Sequence, residues 1–193
     1  MLNQTNTETW IGNFIGKKTE NTNIKIFFSI ITVFLGSLLL IASAKIKVPL
    51  YPVPMTLQPL AVLMIAMLFG RNLATLTVGL YIFKGIIGLP VFAFGGGLMY
   101  LMGPTGGFIL GFFASTFVVG YLADRGWGRK ISLSIISMLI GMTIIYTLGI
   151  FQLALLKGFN FALLKGFYPF LLGDFYKLLL AGILTPYIWK LSK

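Results

Sequence analysis

The sequence predicts an all-α, polytopic membrane protein, with six transmembrane helices in one compact bundle and both termini in the cytoplasm. Three observations lead there. Of 193 residues, 58% are hydrophobic and 10% are charged, with a mean hydropathy of +0.95, whereas soluble domains carry about 25% charged residues. The apolar residues gather into six runs near the roughly 20 residues that cross a bilayer. Basic residues, finally, crowd the connections on one side of those runs.

Residues 1–23, MLNQTNTETWIGNFIGKKTENTN, are polar and rich in Asn and Thr, without an apolar core or a small-residue cleavage site, so they read as a cytoplasmic tail rather than a secretory signal. Its Trp10, Ile11, Phe14 and Ile15 suit the headgroup level of a membrane. The bundle proper takes 24–193. Its first span is Ile24 to Ala44. The second, Thr56 to Phe69, is short for a crossing and draws on the prolines before it; Thr56 is a natural helix N-cap. Leu73 to Gly88, Gly106 to Ala123, Ile131 to Leu153 and Phe170 to Trp189 complete the set. Gly107, Gly111 and Ser115 form a small-residue stripe at i+4 spacing that suits close helix packing.

The connections alternate in kind. Gly70–Asn72 and Asp124–Lys130 are short and charged, whereas Lys45–Met55, Leu89–Thr105 and Ala154–Pro169 are longer and apolar or Gly/Pro-rich. The last contains a repeated ALLKGF, at 154–159 and 162–167, whose copies are too short to span and read as interfacial turns. An even number of spans puts both termini on one side. That side holds Lys17, Lys18, Lys25, Arg71, Arg125, Arg129, Lys130, Lys190 and Lys193, against Lys45, Lys47, Lys157 and Lys165 opposite. By the positive-inside rule the termini are cytoplasmic and the three long loops face outward, in a cytoplasmic (inner) membrane.

Composition also removes whole classes of chemistry. Without His or Cys, the chain lacks the parts for a zinc site, a Cys or His nucleophile, a disulfide or the usual haem ligands, so no metal and no cofactor is expected. The formal charge of +11 is spread over inter-span segments, which fits orientation on a lipid bilayer rather than nucleic acid. No phosphate-binding loop of the form G-x-x-x-x-G-K-[ST] occurs, so any ATP-driven step belongs to another chain. An intramembrane aspartyl protease needs two acids within spans, and only Asp174 lies in one. The chain reads as no enzyme.

The informative residues are therefore ionisable groups in apolar helices. Such residues stand about 2.5–3.5 kcal/mol uphill at a span centre, so they face a cavity or a partner. Asp174 and Lys177, in GDFYK, are one turn apart on one helix face near the outward end of the last span. They neutralise each other in an empty protein and can together grip a ligand bearing N–H donors and a carboxylate; the bland counterpart is a structural ion pair. Lys84, Gln58 and Tyr81 lie near the same outward level. VPLYPVPMTLQ (48–58) favours extended backbone, and the Gly-rich 88–107 stretch holds Phe92, Gly95, Gly96, Gly97 and Tyr100, glycines that let backbone and rings approach a flat ligand.

PVPMTLQ (52–58), GLPVF (88–92), GPTGGF (103–108) and GDFYK (173–177), in this order and with six spans, resemble the BioY family, the biotin-specific substrate-capture (S) component of energy-coupling factor (ECF) transporters. The resemblance covers residues 35 to 190. It implies a biotin site on the extracellular side under the first, third and fifth loops, with Asp174 and Lys177 in it and Phe92 and Gly95 to Gly97 in its wall. Asp174 suits the two ureido N–H donors; Lys177 suits either the ureido carbonyl or the valerate carboxylate. Where relatives place a polar residue among the third-loop glycines, AFGGGLMY has none, and Lys84 or Tyr100 is the candidate substitute. The family further implies a membrane coupling subunit and two cytoplasmic ATPases as partners, with delivery by reorientation of the loaded bundle. The alternatives are a solitary or homo-oligomeric transporter, and a structural membrane subunit without a ligand. In the first span, where the family docks its coupling subunit on an Ala-x-x-x-Ala-type face, Gly36, Ser37, Ala42, Ser43 and Ala44 are small but give no clean i, i+4 pair among themselves.

Overall fold

The computed structural model describes residues 9–18 and 21–190, without the side chains of Lys17 and Lys18. The polar stretch 1–8, the orienting side chains of Lys17 and Lys18, and Lys193 lie outside the described residues. Helices α1 (Trp10–Lys18), α2 (Thr22–Lys45), α3 (Gln58–Ile86), α4 (Leu98–Met102), α5 (Gly106–Asp124), α6 (Ile131–Lys157), α7 (Phe159–Gly166) and α8 (Leu171–Lys190) follow in order. A short ladder of β1 (Lys47–Val48) and β2 (Met55–Thr56) joins α2 to α3, and a 3-10 turn, Trp127–Arg129, precedes α6. Five helices, α2, α3, α5, α6 and α8, are long and apolar enough to cross a membrane.

Helix α3 unites what the sequence divides into two spans. Gly70 sits inside it at φ 76°, ψ 177°, a conformation essentially reserved for glycine, and there the helix breaks. The break is a reversal. Gln58 and Tyr81 are 23 positions apart, which a continuous helix would place about 35 Å from each other, yet Gln58 Nε2 donates to Tyr81 Oη at 2.8 Å. The two limbs, 58–69 and 71–86, therefore run antiparallel. The short charged loop expected over Gly70–Asn72 is a single residue, because the Asp124 carboxylate accepts from Arg71 N (3.4 Å) at the start of the second limb, where a helix N-terminus favours negative charge.

The polar tail expected over 1–23 contains a helix that belongs to the bundle. Ile11 and Ile15 of α1 are buried in a small cluster with Leu73, against Phe28, Val33 and Phe69; their i, i+4 spacing puts both on one face. Phe14 remains exposed and stacks on Trp10. Burial of the two isoleucines outweighs the polar composition around them.

Both described ends of the chain lie at one end of the bundle. Thr9 faces Gly70, Gly128 faces Met67 and Thr185, and the Arg129 guanidinium lies over the Trp189 ring (4.4 Å). The core between the ends is apolar: Val62, Leu63, Met67, Val78, Val119 and Met138 are almost wholly buried. The stripe in α5 sets the α5–α6 distance. A Cβ on Gly111 would stand 2.8 Å from Ile145 Cα, one on Gly107 would overlap the Leu148 carbonyl, and Ser115 is buried. Outward-facing Phe27, Phe34, Leu38, Phe151, Phe175 and Leu180 are exposed, as a surface solvated by acyl chains requires.

Two further boundaries differ from expectation. Helix α6 continues to Lys157, past Leu153, and the fifth loop contains α7. Each ALLKGF copy thus ends a helix: Gly158 caps α6 at φ 88°, and Gly166 closes α7. At the start of α3 the cap position is Leu57 rather than Thr56, although the Thr56 hydroxyl still accepts from Gln58 N at 3.2 Å.

Candidate functional site

At the end of the bundle opposite the termini, the three long connections fold over the helix ends and leave a cavity beneath them. The extended segment before α3 contributes Val53, Pro54 and Thr56; the Gly-rich segment contributes Ala93, Tyr100 and Thr105; Phe170 comes from the last connection. Below these, Gln58, Phe108, Ile109, Phe112, Ile145, Tyr146, Asp174 and Lys177 line the walls and floor. About 550 Å³ of space not filled by atoms lies among these residues, part of it open solvent at the surface. Aromatic and aliphatic surface dominates, and the polar groups are few and convergent.

Those polar groups centre on Asp174, which is only 6% exposed. Its Oδ1 accepts from Lys177 Nζ at 2.7 Å, and its Oδ2 accepts from the Tyr146 hydroxyl at 2.5 Å. Lys177 Nζ also donates to the Thr56 carbonyl at 2.8 Å. Burial of an isolated charge costs several kcal/mol, and here pairing plus two further hydrogen bonds offsets it. The arrangement offers a carboxylate, an ammonium and a phenol at one end of an apolar slot.

Of the residues singled out in the sequence, Asp174, Lys177, Gln58 and Tyr100 line the cavity. Tyr81 stands one step behind, holding Gln58 in place. Phe92 also stands behind the wall: its buried ring packs edge-on against Tyr81 (5.5 Å) and stacks on Tyr100 (5.0 Å, 26°). Gly85 is what admits that ring, since a Cβ there would overlap it. Gly95, Gly96 and Gly97 are absent from the cavity lining. They shape the turn instead, with Gly95 O accepting from Phe92 N (2.8 Å) and Gly97 N donating to Gly85 O (2.7 Å); a Cβ on Gly96 would strike the Leu89 carbonyl.

Lys84 points elsewhere. Its Nζ donates to Ser37 Oγ at 2.8 Å and lies 4.5 Å from the centre of the Phe34 ring, both on α2. The reason is directional, because helical side chains lean toward the helix N-terminus and Lys84 lies on the limb that approaches the cavity end. It therefore leans down the bundle toward α2.

Tyr146 and the Thr56 carbonyl escaped the sequence reading. A signal existed for the tyrosine: a phenol within an apolar span needs an acceptor, and Asp174 is the one acid in the spans read from the sequence. The carbonyl had none, since backbone direction in an extended segment has no side-chain signature. Among the described residues, no group of three or more His, Cys, Asp or Glu side chains converges to hold a metal.

Comparison with known proteins gives the fold and the lineage. The crystal structure of the S-component for biotin from an ECF-type ABC transporter superposes with a TM-score of 0.75, covering 89% of this chain and 95% of that one at 22% identity, a likeness of fold. The biotin transporter BioY of Thermotoga maritima is 43% identical over 60% of this chain and 68% of its own length. The probable biotin transporter BioY of Rickettsia prowazekii is 32% identical over 77% of this chain and 75% of its own. Five apolar helices and this kinship make the chain a multi-pass membrane protein. A sequence profile of the BioY family runs from residue 17 to residue 193, through every helix that builds the cavity, and the chain accordingly belongs to the BioY family.

Proposed function

We propose that this protein captures biotin at the extracellular end of its bundle and carries it across the cytoplasmic membrane together with an ECF-type energising module. The observation that carries the reading is the Asp174–Lys177–Tyr146 cluster at one end of an apolar slot, in a chain whose relatives are named biotin transporters. Biotin has the matching layout. Its ureido ring offers two N–H donors that Asp174 accepts, while its thioether ring is apolar enough for Phe108, Phe112, Ile145 and Phe170. Lys177 donates to the ureido carbonyl or to the valerate carboxylate.

Counting the two limbs of α3 separately gives six crossings, which supports an even topology with both termini in the cytoplasm. Arg71, Arg125, Arg129 and Lys130 belong to that face, in keeping with the positive-inside rule. The loaded bundle then reorients under the action of a membrane coupling subunit and two ATPases, since this chain carries no nucleotide-binding loop.

Titration of the detergent-purified protein with biotin tests the reading. A Kd tighter than about 10 µM is expected, with a loss of about 30-fold or more in Asp174→Asn and Lys177→Ala, because truncating one partner of a buried charge pair costs about 2–5 kcal/mol. Binding unaffected by both substitutions would refute the site. Uptake in cells lacking every coupling subunit tests the partnership: abolished uptake with intact binding supports the module, and undiminished uptake rejects it.

A further inference from the structure

The segment that roofs the cavity is held by two lysines that take no part in lining it. Lys45, the last residue of α2, donates from Nζ to the carbonyls of Pro90 and Phe92, each at 2.7 Å. Lys47 donates to the Ala93 carbonyl and places its Nζ 3.7 Å from the centre of the Phe94 ring. Three carbonyls within four residues are thus met by two ammonium groups. The stretch needs them. Pro90 has no N–H, and these backbone acceptors have no ladder partner near the apolar rim; hydrogen bonds from a charged donor are about twice as strong as neutral ones.

The clamped residues lead straight to the cavity. Ala93 lines it, and the Phe92 ring holds Tyr100, which also lines it, and Tyr81, which holds Gln58. Lys47 has a second connection, since it pairs across the two-residue ladder with Thr56, whose carbonyl accepts from Lys177. Roof, ladder and ion pair form one connected unit.

We propose that Lys45 and Lys47 are positioning residues for ligand retention: they clamp the 90–93 backbone over the cavity, and the ligand leaves when those carbonyl bonds part. This rests on the biotin reading above. Because neither lysine lines the cavity, the clamp acts on dissociation more than on association, and it does not read the ligand's carboxylate.

The test compares Lys45→Met, Lys47→Met and Lys45→Arg with the parent protein in detergent. Biotin dissociation is measured by chase, biotin and biotin amide affinities by titration, and hydrogen exchange at the Phe92 and Gly97 amides without ligand. Each Met variant is expected to speed dissociation about tenfold or more while changing association less than about threefold, as loss of charge-assisted hydrogen bonds implies. Exchange at both amides accelerates, Lys45→Arg restores most of the retention, and the biotin-to-amide affinity ratio stays constant. Unchanged dissociation, or a ratio that collapses toward one and so reveals direct contact with the carboxylate, overturns the proposal. If the parent protein binds no biotin, the functional reading fails separately, and unchanged exchange in the Met variants still refutes the clamp. Should Lys45→Met fail to fold, Lys47→Met carries the same test through the Ala93 bond.

Discussion

Substituting Gly70 by alanine asks whether α3 is one rod or two, because the two answers differ in sign. In an uninterrupted helix, Gly→Ala stabilises by about 1 kcal/mol. At φ 76°, ψ 177° the same change instead forces a Cβ into a region essentially confined to glycine, costing about 1–3 kcal/mol. The new Cβ would also stand 2.7 Å from Thr9 Cγ2 and overlap the Asp124 carboxylate, and overpacking of this kind costs about 1–3 kcal/mol more. Together these give a destabilisation of about 4 kcal/mol, a large part of the roughly 5–15 kcal/mol typical of a folded domain. Thermal unfolding of the purified variant reads it directly. Gly16→Ala is the control, since a Cβ there meets nothing within 4 Å. A Gly70→Ala variant that melts at or above the parent temperature would refute the broken-helix account, and with it the route that brings Gln58 to Tyr81.

Three other expectations follow from side-chain placement. Tyr146→Phe removes the donor to Asp174 Oδ2 and should weaken biotin binding about tenfold, measured by titration. Lys84→Met should change that affinity by less than about threefold, because the amine is spent on Ser37 and Phe34 rather than on the cavity and distant sites act independently. Gly111→Leu has backbone as its obstacle, Ile145 Cα at 2.8 Å, and should lower stability by about 1–3 kcal/mol in the same unfolding assay.

What the sequence disclosed follows the physics of each feature. Apolar runs of bilayer length announce themselves, so the long helices were legible. Asp174 and Lys177 were legible for a related reason: charge is so costly in that setting that its presence implies a partner. Lys84 satisfied the same criterion but its amine meets Ser37 and Phe34 on α2, because hydropathy reports depth and not azimuth; which neighbour a lysine meets depends on how limbs pack around Gly70. The roles of Lys45 and Lys47 were equally hidden. Their acceptors are main-chain carbonyls 45 to 47 positions away, and no residue type marks a carbonyl. Phe92 was read as cavity wall, yet its neighbour Ala93 does the lining, a one-residue shift set by the turn that Gly95 closes.

The first limb of α3 has a consequence for selectivity. At 1.5 Å per residue it rises only about 18 Å, well short of a hydrocarbon core of about 30 Å. The chain before it must therefore descend as non-helical backbone, which lipid does not tolerate unless every carbonyl finds a donor. For Thr56 that donor is Lys177. A ligand that draws Lys177 to itself strands this carbonyl, at about 1–3 kcal/mol, unless it brings an N–H of its own to the same spot. On the proposed biotin reading, the main chain would act as a proofreader, favouring guests that give a hydrogen bond as well as take one.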